Sequence, residues 1–125
     1  MKVATFLNSH PKVEWVRYCG LKTDKYYALG QKYLPNGSCG VLSFALKGTR
    51  ADAEKFMKNL KVAAIETHVA DARTCCLHPA SATHRQLSDE QLAAAGISPT
   101  LIRYSCGIEN ADDLIEDLSN ALETI

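Results

Sequence analysis

The spacing of apolar residues changes along this chain, and each change marks an element. Over residues 2–9, Val3, Phe6 and Leu7 lie on one side of a short amphipathic helix, which His10-Pro11 stops. From Val13 to Tyr18 the pattern shortens to that of a strand, with Val13, Trp15 and Arg17 on one face and Cys19-Gly20 closing it. Thr23 is placed to cap a helix running through Tyr33, after which Pro35-Asn36-Gly37 signals a turn. The segment Cys39 to Lys47, with Gly40 near its start and Val41, Leu42, Phe44 and Leu46 within it, predicts the clearest strand.

Helical spacing returns after Thr49. With Asp52 three residues on, Thr49 predicts a capped helix to about Leu60, presenting Ala53, Phe56, Met57 and Leu60. Val62 to Ile65 and Thr74 to Leu77 read as two short strands around a polar centre, Glu66 to Arg73, and His78 to Leu87 reads as a loop. Ser88 and Gln91 form a capping-box pattern for a short helix that ends at Gly96. A half-buried strand follows, carrying Leu101, Ile102, Tyr104 and, further on, Ile108. Asn110 then caps a last helix whose Leu114, Ile115, Leu118, Ala121, Leu122 and Ile125 form one stripe.

Strands alternate with helices, yet several connections are too short for a parallel crossover. The expected architecture is therefore an α/β chain of the two-layer α+β type: a small, largely antiparallel sheet with helices on one face. Its other face is left to meet a second domain.

The strand before the last helix contains a residue that disturbs this pattern. Arg103 sits among apolar neighbours, and a guanidinium keeps its proton, so burying it without a partner is costly. The strand alone leaves several partners open: an internal carboxylate, water reached by snorkelling to the sheet edge, or a carboxylate brought by a ligand.

Bulk composition narrows the function classes. The 125 residues are 46% hydrophobic and 22% charged with a formal net charge of +0, which argues against a basic nucleic-acid surface or an acidic tail. The apolar runs are too short to span a membrane, and the N-terminus lacks a secretory core, so a cytoplasmic, unprocessed chain is expected. Five cysteines (Cys19, Cys39, Cys75, Cys76, Cys106) form no C-x-x-C, and His68, His78 and His84 are not set beside a cysteine pair. Cys75 and Cys76, adjacent on a strand, point to opposite faces and cannot readily share one ion. No metal site is predicted, and reduced cysteines used as small core residues are.

Three segments together are more specific. Leu77-His78-Pro79-Ala80-Ser81-Ala82-Thr83-His84 resembles the His-Pro-Ala-(Ser/Thr)-x-Thr-His segment of the Cys/Met-metabolism enzymes that use pyridoxal phosphate (PLP). Arg103-Tyr104-Ser105-Cys106-Gly107-Ile108-Glu109 resembles that family's Arg-x-Ser-x-Gly-(Ile/Leu)-Glu ending, and Cys39-Gly40-Val41-Leu42-Ser43-Phe44 its Gly-Gly-x-x-Ser-Phe strand. Val69-Ala70-Asp71-Ala72-Arg73-Thr74 is similar to the pattern of the family's O-acetylhomoserine sulfhydrylase branch. The resemblance covers essentially the whole chain and implies the small C-terminal domain of a fold-type I PLP enzyme.

That resemblance carries its own expectations. The complete enzyme would perform γ-replacement, O-acetylhomoserine plus sulfide giving homocysteine plus acetate, in methionine biosynthesis and transsulfuration. It would be a homo-oligomer whose PLP-binding large domain supplies the cofactor lysine. No Ser-x-Thr-Lys segment, phosphate-binding loop or pyridinium-pairing aspartate is found here, so no catalytic or cofactor-binding residue is assigned and the chain alone is expected to be inactive. Arg103 is implied to hold the substrate α-carboxylate, a task suited to a guanidinium fork on a rigid strand. His68 lies near the same carboxylate by this resemblance, either donating a second hydrogen bond or serving as an ordinary loop histidine. His78 and His84 are expected to orient their loop, and Asp71 and Arg73 to pair with each other or with neighbours. The sequence departs from the pattern at Cys39 and Ala70, where glycine is usual, at Ala82 and at His68. The alternative is a non-catalytic interaction or ligand-binding module built on the same fold.

Overall fold

The computed structural model describes all residues from Met1 to Ile125. Eleven elements follow one another: α1 (Lys2–Ser9), β1 (Val13–Arg17), α2 (Tyr27–Tyr33), β2 (Val41–Leu46), α3 (Arg50–Asn59), β3 (Ala64–Ile65), β4 (Cys75–Leu77), a 3₁₀ turn (Pro79–Ser81), α4 (Asp89–Ala94), β5 (Leu101–Ser105) and α5 (Ala111–Glu123). The five strands form one sheet in the order β1-β2-β5-β4-β3, antiparallel except for the β3–β4 pair. A small mixed sheet with a helical layer is thus what the alternating pattern predicts.

The core lies between the sheet and α1, α3 and α5. Leu42, Phe44, Ile102, Tyr104 and Cys76 face it from the strands, and Leu7, Phe56, Leu114, Leu118 and Leu122 from the helices, all buried. Phe44 and Phe56 meet edge to face across the layers, with centroids 6.0 Å apart. The helix ends are sealed as the spacing predicts. Thr49 and Asp52 form a capping box on α3, Ser88 and Gln91 form one on α4, and the Asn110 side chain accepts from the Asp112 amide at the start of α5.

Three local expectations fail for identifiable reasons, the simplest being Ile108, which lies beyond the end of β5 and is 87% exposed rather than packed. The helix expected from Thr23 begins only at Tyr27, because the buried Asp24 carboxylate takes the local amides first. Its oxygens accept from Tyr18 N and Tyr26 N, each at 2.8 Å, and hold residues before α2 in turns. In β1, Val13 does not share a face with Trp15 and Arg17. A register irregularity between Val13 and Trp15 turns Val13 to the core beside Val16, while Arg17 stacks 5.2 Å from the Trp15 ring. The strands are otherwise shorter than the apolar runs that signal them, since pairing ends before apolar character does.

Candidate carboxylate-binding site

Arg103 lies in the middle of β5, the central strand, and opposite Ser43 on β2 and Leu77 on β4. Directly paired residues share a face, so Ser43, Arg103 and Leu77 form a row on the side away from Ile102 and Tyr104. Ser105, Val41 and Cys75 form the next row on that side. Around Arg103 this surface mixes Ser43 and Ser105 with Leu77, Val41 and Cys75.

No carboxylate of the chain meets Arg103. Its Nη2 donates to the backbone carbonyls of Thr67 at 2.6 Å and His68 at 3.1 Å, and its Nε is buried without any partner. The internal ion pair that the strand left open is therefore not formed. Two neutral carbonyl dipoles orient the guanidinium but leave its positive charge uncompensated, and a buried unpaired N–H costs about 1–3 kcal/mol. Such an arrangement favours an incoming carboxylate, which supplies both the charge and the missing acceptor.

The segment 66–74 that supplies these carbonyls is tied down along its length. Arg73 binds Glu66 at 3.1 Å and lies 3.7 Å from Asp71, and the His68 imidazole stands 2.7 Å from Glu66. His68 therefore approaches Arg103 with its backbone carbonyl, while its largely exposed ring turns to Glu66. Ala70 adopts φ 57, the left-handed region where glycine is favoured, and its N–H reaches the buried Ser105 Oγ at 3.2 Å. Glu66, Asp71 and Cys75 place one ligand atom each within 4.8 Å of one another, but Arg73 already brings a permanent positive charge to the two carboxylates.

The His-Pro segment has a separate task. Nε2 of the buried His78 faces the Pro99 carbonyl at 2.8 Å and Nδ1 faces Ser81 Oγ at 2.8 Å. The carbonyl only accepts, so Nε2 carries the proton and Nδ1 accepts from the serine hydroxyl. Burial pushes the His78 pKa below its ordinary value. His84 Nδ1 meets Thr83 Oγ1 at 2.9 Å, a side-chain partner. Cys75 and Cys76 are both buried on opposite faces, and burial raises both thiol pKa values, which suits packing residues.

Eight of the nine lysines are exposed, and the half-buried Lys12 donates to the carbonyls of Leu122 at 2.8 Å and Ile125 at 2.6 Å. What the chain does offer is a guanidinium oriented by neutral groups on a rigid strand.

The geometry is that of a two-layer domain with an oriented arginine that no carboxylate of the chain neutralises. The chain belongs to the Cys/Met metabolism PLP-dependent enzyme family, whose profile matches residues 1–123. It is 44% identical over its full length to O-acetyl-L-homoserine sulfhydrylase of Leptospira meyeri, of which it covers 28%. It is 45% identical over 97% of its length to homocysteine synthase of Schizosaccharomyces pombe, again covering 28%. A solved structure described as a putative O-acetylhomoserine (thiol)-lyase from Campylobacter jejuni, carrying a pyridoxyl-lysine phosphate, superposes with a TM-score of 0.87 at 42% identity. That match covers 98% of this chain and 29% of the other. The chain thus spans somewhat over a quarter of the length of these relatives. The family uses PLP, and the fold is that of part of a fold-type I PLP enzyme.

Sequence reasoning singled out Arg103 and the His68 side chain, but not Thr67 or the use of the His68 carbonyl. Thr67 and His68 act through backbone atoms, which no residue pattern records. Ser105 and Glu109, by contrast, lie two and six residues beyond Arg103, and the strand's period of two was the available signal.

Proposed function

We propose that this chain is the C-terminal, substrate-binding domain of an O-acetylhomoserine sulfhydrylase. In the complete enzyme it would face a PLP-binding large domain and serve γ-replacement, O-acetylhomoserine plus sulfide giving homocysteine plus acetate. PLP supplies the electron sink for charge developing at the substrate Cα. The part assigned to this chain is to bind and orient the amino-acid carboxylate at Arg103. The complete enzyme is taken to be a cytoplasmic homo-oligomer acting in methionine biosynthesis; no helix of the chain is long and apolar enough to cross a membrane.

One observation carries this reading: Arg103, central in the sheet, has a buried Nε with no partner and no carboxylate within the chain to neutralise it. A purely structural arginine would be expected to have an anionic neighbour. Fixing a carboxylate fixes which Cα bond stands ready to break, so orientation here affects rate as well as affinity. The activities for which the relatives are named supply the substrate. His68, with its ring on Glu66, is assigned to the site through its carbonyl, and its ring is available to the substrate only if that pair opens.

The test pairs the chain with a PLP-binding large domain of this family. The chain alone, incubated with PLP, is expected to develop no lysine-bound pyridoxal absorbance and to release no acetate from O-acetylhomoserine. The combination should turn over, and Arg103→Ala should then raise KM by about 100-fold, given that hydrogen bonds to charged groups contribute about 1.5–3 kcal/mol each. An unchanged KM would overturn the assignment. A stable complex that never turns over would favour the interaction-module reading.

A further inference from the structure

We infer that Glu109 is a positioning residue for Arg103, acting through Thr74 on the 66–74 segment. The inference deepens the carboxylate-binding reading above and rests on it for its functional meaning. It starts from an alternation. Arg103, Ser105, Gly107 and Glu109 lie two residues apart, and all four meet the same segment. Arg103 reaches the carbonyls of Thr67 and His68, and Ser105 Oγ accepts from Ala70 N. Gly107 lies against the backbone of Ala72 and Arg73, where an added Cβ would collide with the Ala72 carbonyl oxygen. The adjacent Ile108 N donates to that same oxygen at 2.9 Å.

Glu109 closes the series. Its Oε1 accepts from Thr74 N at 2.8 Å and its Oε2 from Thr74 Oγ1 at 2.7 Å. Thr74 Oγ1 in turn accepts from Gly107 N at 2.9 Å, so one hydroxyl relays between the carboxylate and the close-approach glycine. Desolvation works to raise the Glu109 pKa, but the two bonds from Thr74 outweigh it and hold the carboxyl below its ordinary value. The anchored end of the segment is Thr74; the working end is Thr67-His68, whose carbonyls select the Arg103 rotamer. Between them Ala70 holds a left-handed backbone that only external restraint makes affordable to alanine. Loosening Thr74 therefore loosens the carbonyl pair and lets the guanidinium swing.

The test separates positioning from general stability. Thr74→Val removes the hydroxyl at nearly constant volume, and Glu109→Gln removes the charge while keeping an acceptor for Thr74 N. Thr49→Ala, which breaks the distant α3 cap, serves as the control for plain destabilisation. In the labelled 125-residue chain, exchange of the Arg103 Nε–H and of the Ala70 and Ile108 amides is expected to rise about tenfold in Thr74→Val, less in Glu109→Gln, and not in Thr49→Ala. Thr74→Ser should restore the parent behaviour. In the assembled enzyme, Thr74→Val should lower kcat/KM about tenfold, through kcat as well as KM, because the loosened guanidinium both binds and orients the carboxylate. Exchange at Arg103 no faster than in Thr49→Ala overturns the positioning role. If instead exchange responds but Arg103→Ala leaves KM unchanged, the positioning stands and the carboxylate reading falls, so the two failures read separately.

Discussion

The two faces of the sheet are made from alternate residues of the same strands, yet they follow opposite rules. On one face Phe44, Ile102 and Tyr104 are wholly buried under helices, and stability comes from apolar area removed from water. On the other, Ser43, Arg103 and Ser105 give little apolar area, and order comes from hydrogen bonds to a loop. The first face tolerates no vacancy, because close packing turns any lost atom into a cavity. The second keeps a charged group short of partners. Arg103 Nε is buried without a partner on the second face and the Tyr104 hydroxyl is buried without one on the first, so the two faces differ in charge rather than in unsatisfied valence.

The strongest way to break this comparison is to delete one large residue from each face. Phe44→Ala should cost about 3–5 kcal/mol in denaturant unfolding, whereas Arg103→Ala should shift stability by less than about 1 kcal/mol, because it also removes an unsatisfied buried donor. Equal losses would show that the second face is structural after all. Next in size is Asp117→Ala. Its buried carboxylate accepts from the amides of Lys61, Val62 and Ala63 at 2.7–3.1 Å, and leaving those donors unpaired should cost about 2–3 kcal/mol.

Smaller changes sharpen the contrast. Ala70→Gly should stabilise the chain by about 0.5–1 kcal/mol, since the relief of the left-handed conformation exceeds the entropy lost by glycine. A fall in melting temperature would show that Ala70 contributes packing that offsets its strain. The pH dependence of His78 gives the gentlest effect. Its pKa in the fold lies below 6.5, the unfolded value, so the unfolded state binds more protons between the two. Stability from this group is therefore complete above pH 6.5 and lost as pH falls towards the folded pKa. His78→Gln should flatten that slope in thermal melts between about pH 7 and 5.

Most of the helical layer was legible because its signals are local. Thr49 with Asp52, Ser88 with Gln91, and Asn110 each announce an element that forms where the spacing puts it. Errors arose where a side chain reached beyond its own segment. Asp24 diverts the backbone before α2 by bonding to Tyr18, and the irregularity in β1 depends on its pairing with β2. Arg103 was legible as an anomaly in its strand. The carbonyls that orient it were not, because a backbone acceptor has no residue signature. The partner of His68, Glu66, was equally out of view until the segment's path was known.

The strand order has a consequence for how this domain is made. β5 is the last strand in the chain but the middle one in the sheet, joining the β1–β2 pair to the β3–β4 pair. Without residues 101–105 the β1–β2 and β3–β4 pairs have no strand between them, and neither pair contains Arg103. During synthesis from the N-terminus, about four-fifths of the chain must therefore emerge before the sheet closes, and its long-range pairing makes that step slow. Arg103 arrives with the segment that completes the sheet. A chain that ends before residue 101 would accordingly leave the β2 and β4 edges unpaired and open to aggregation.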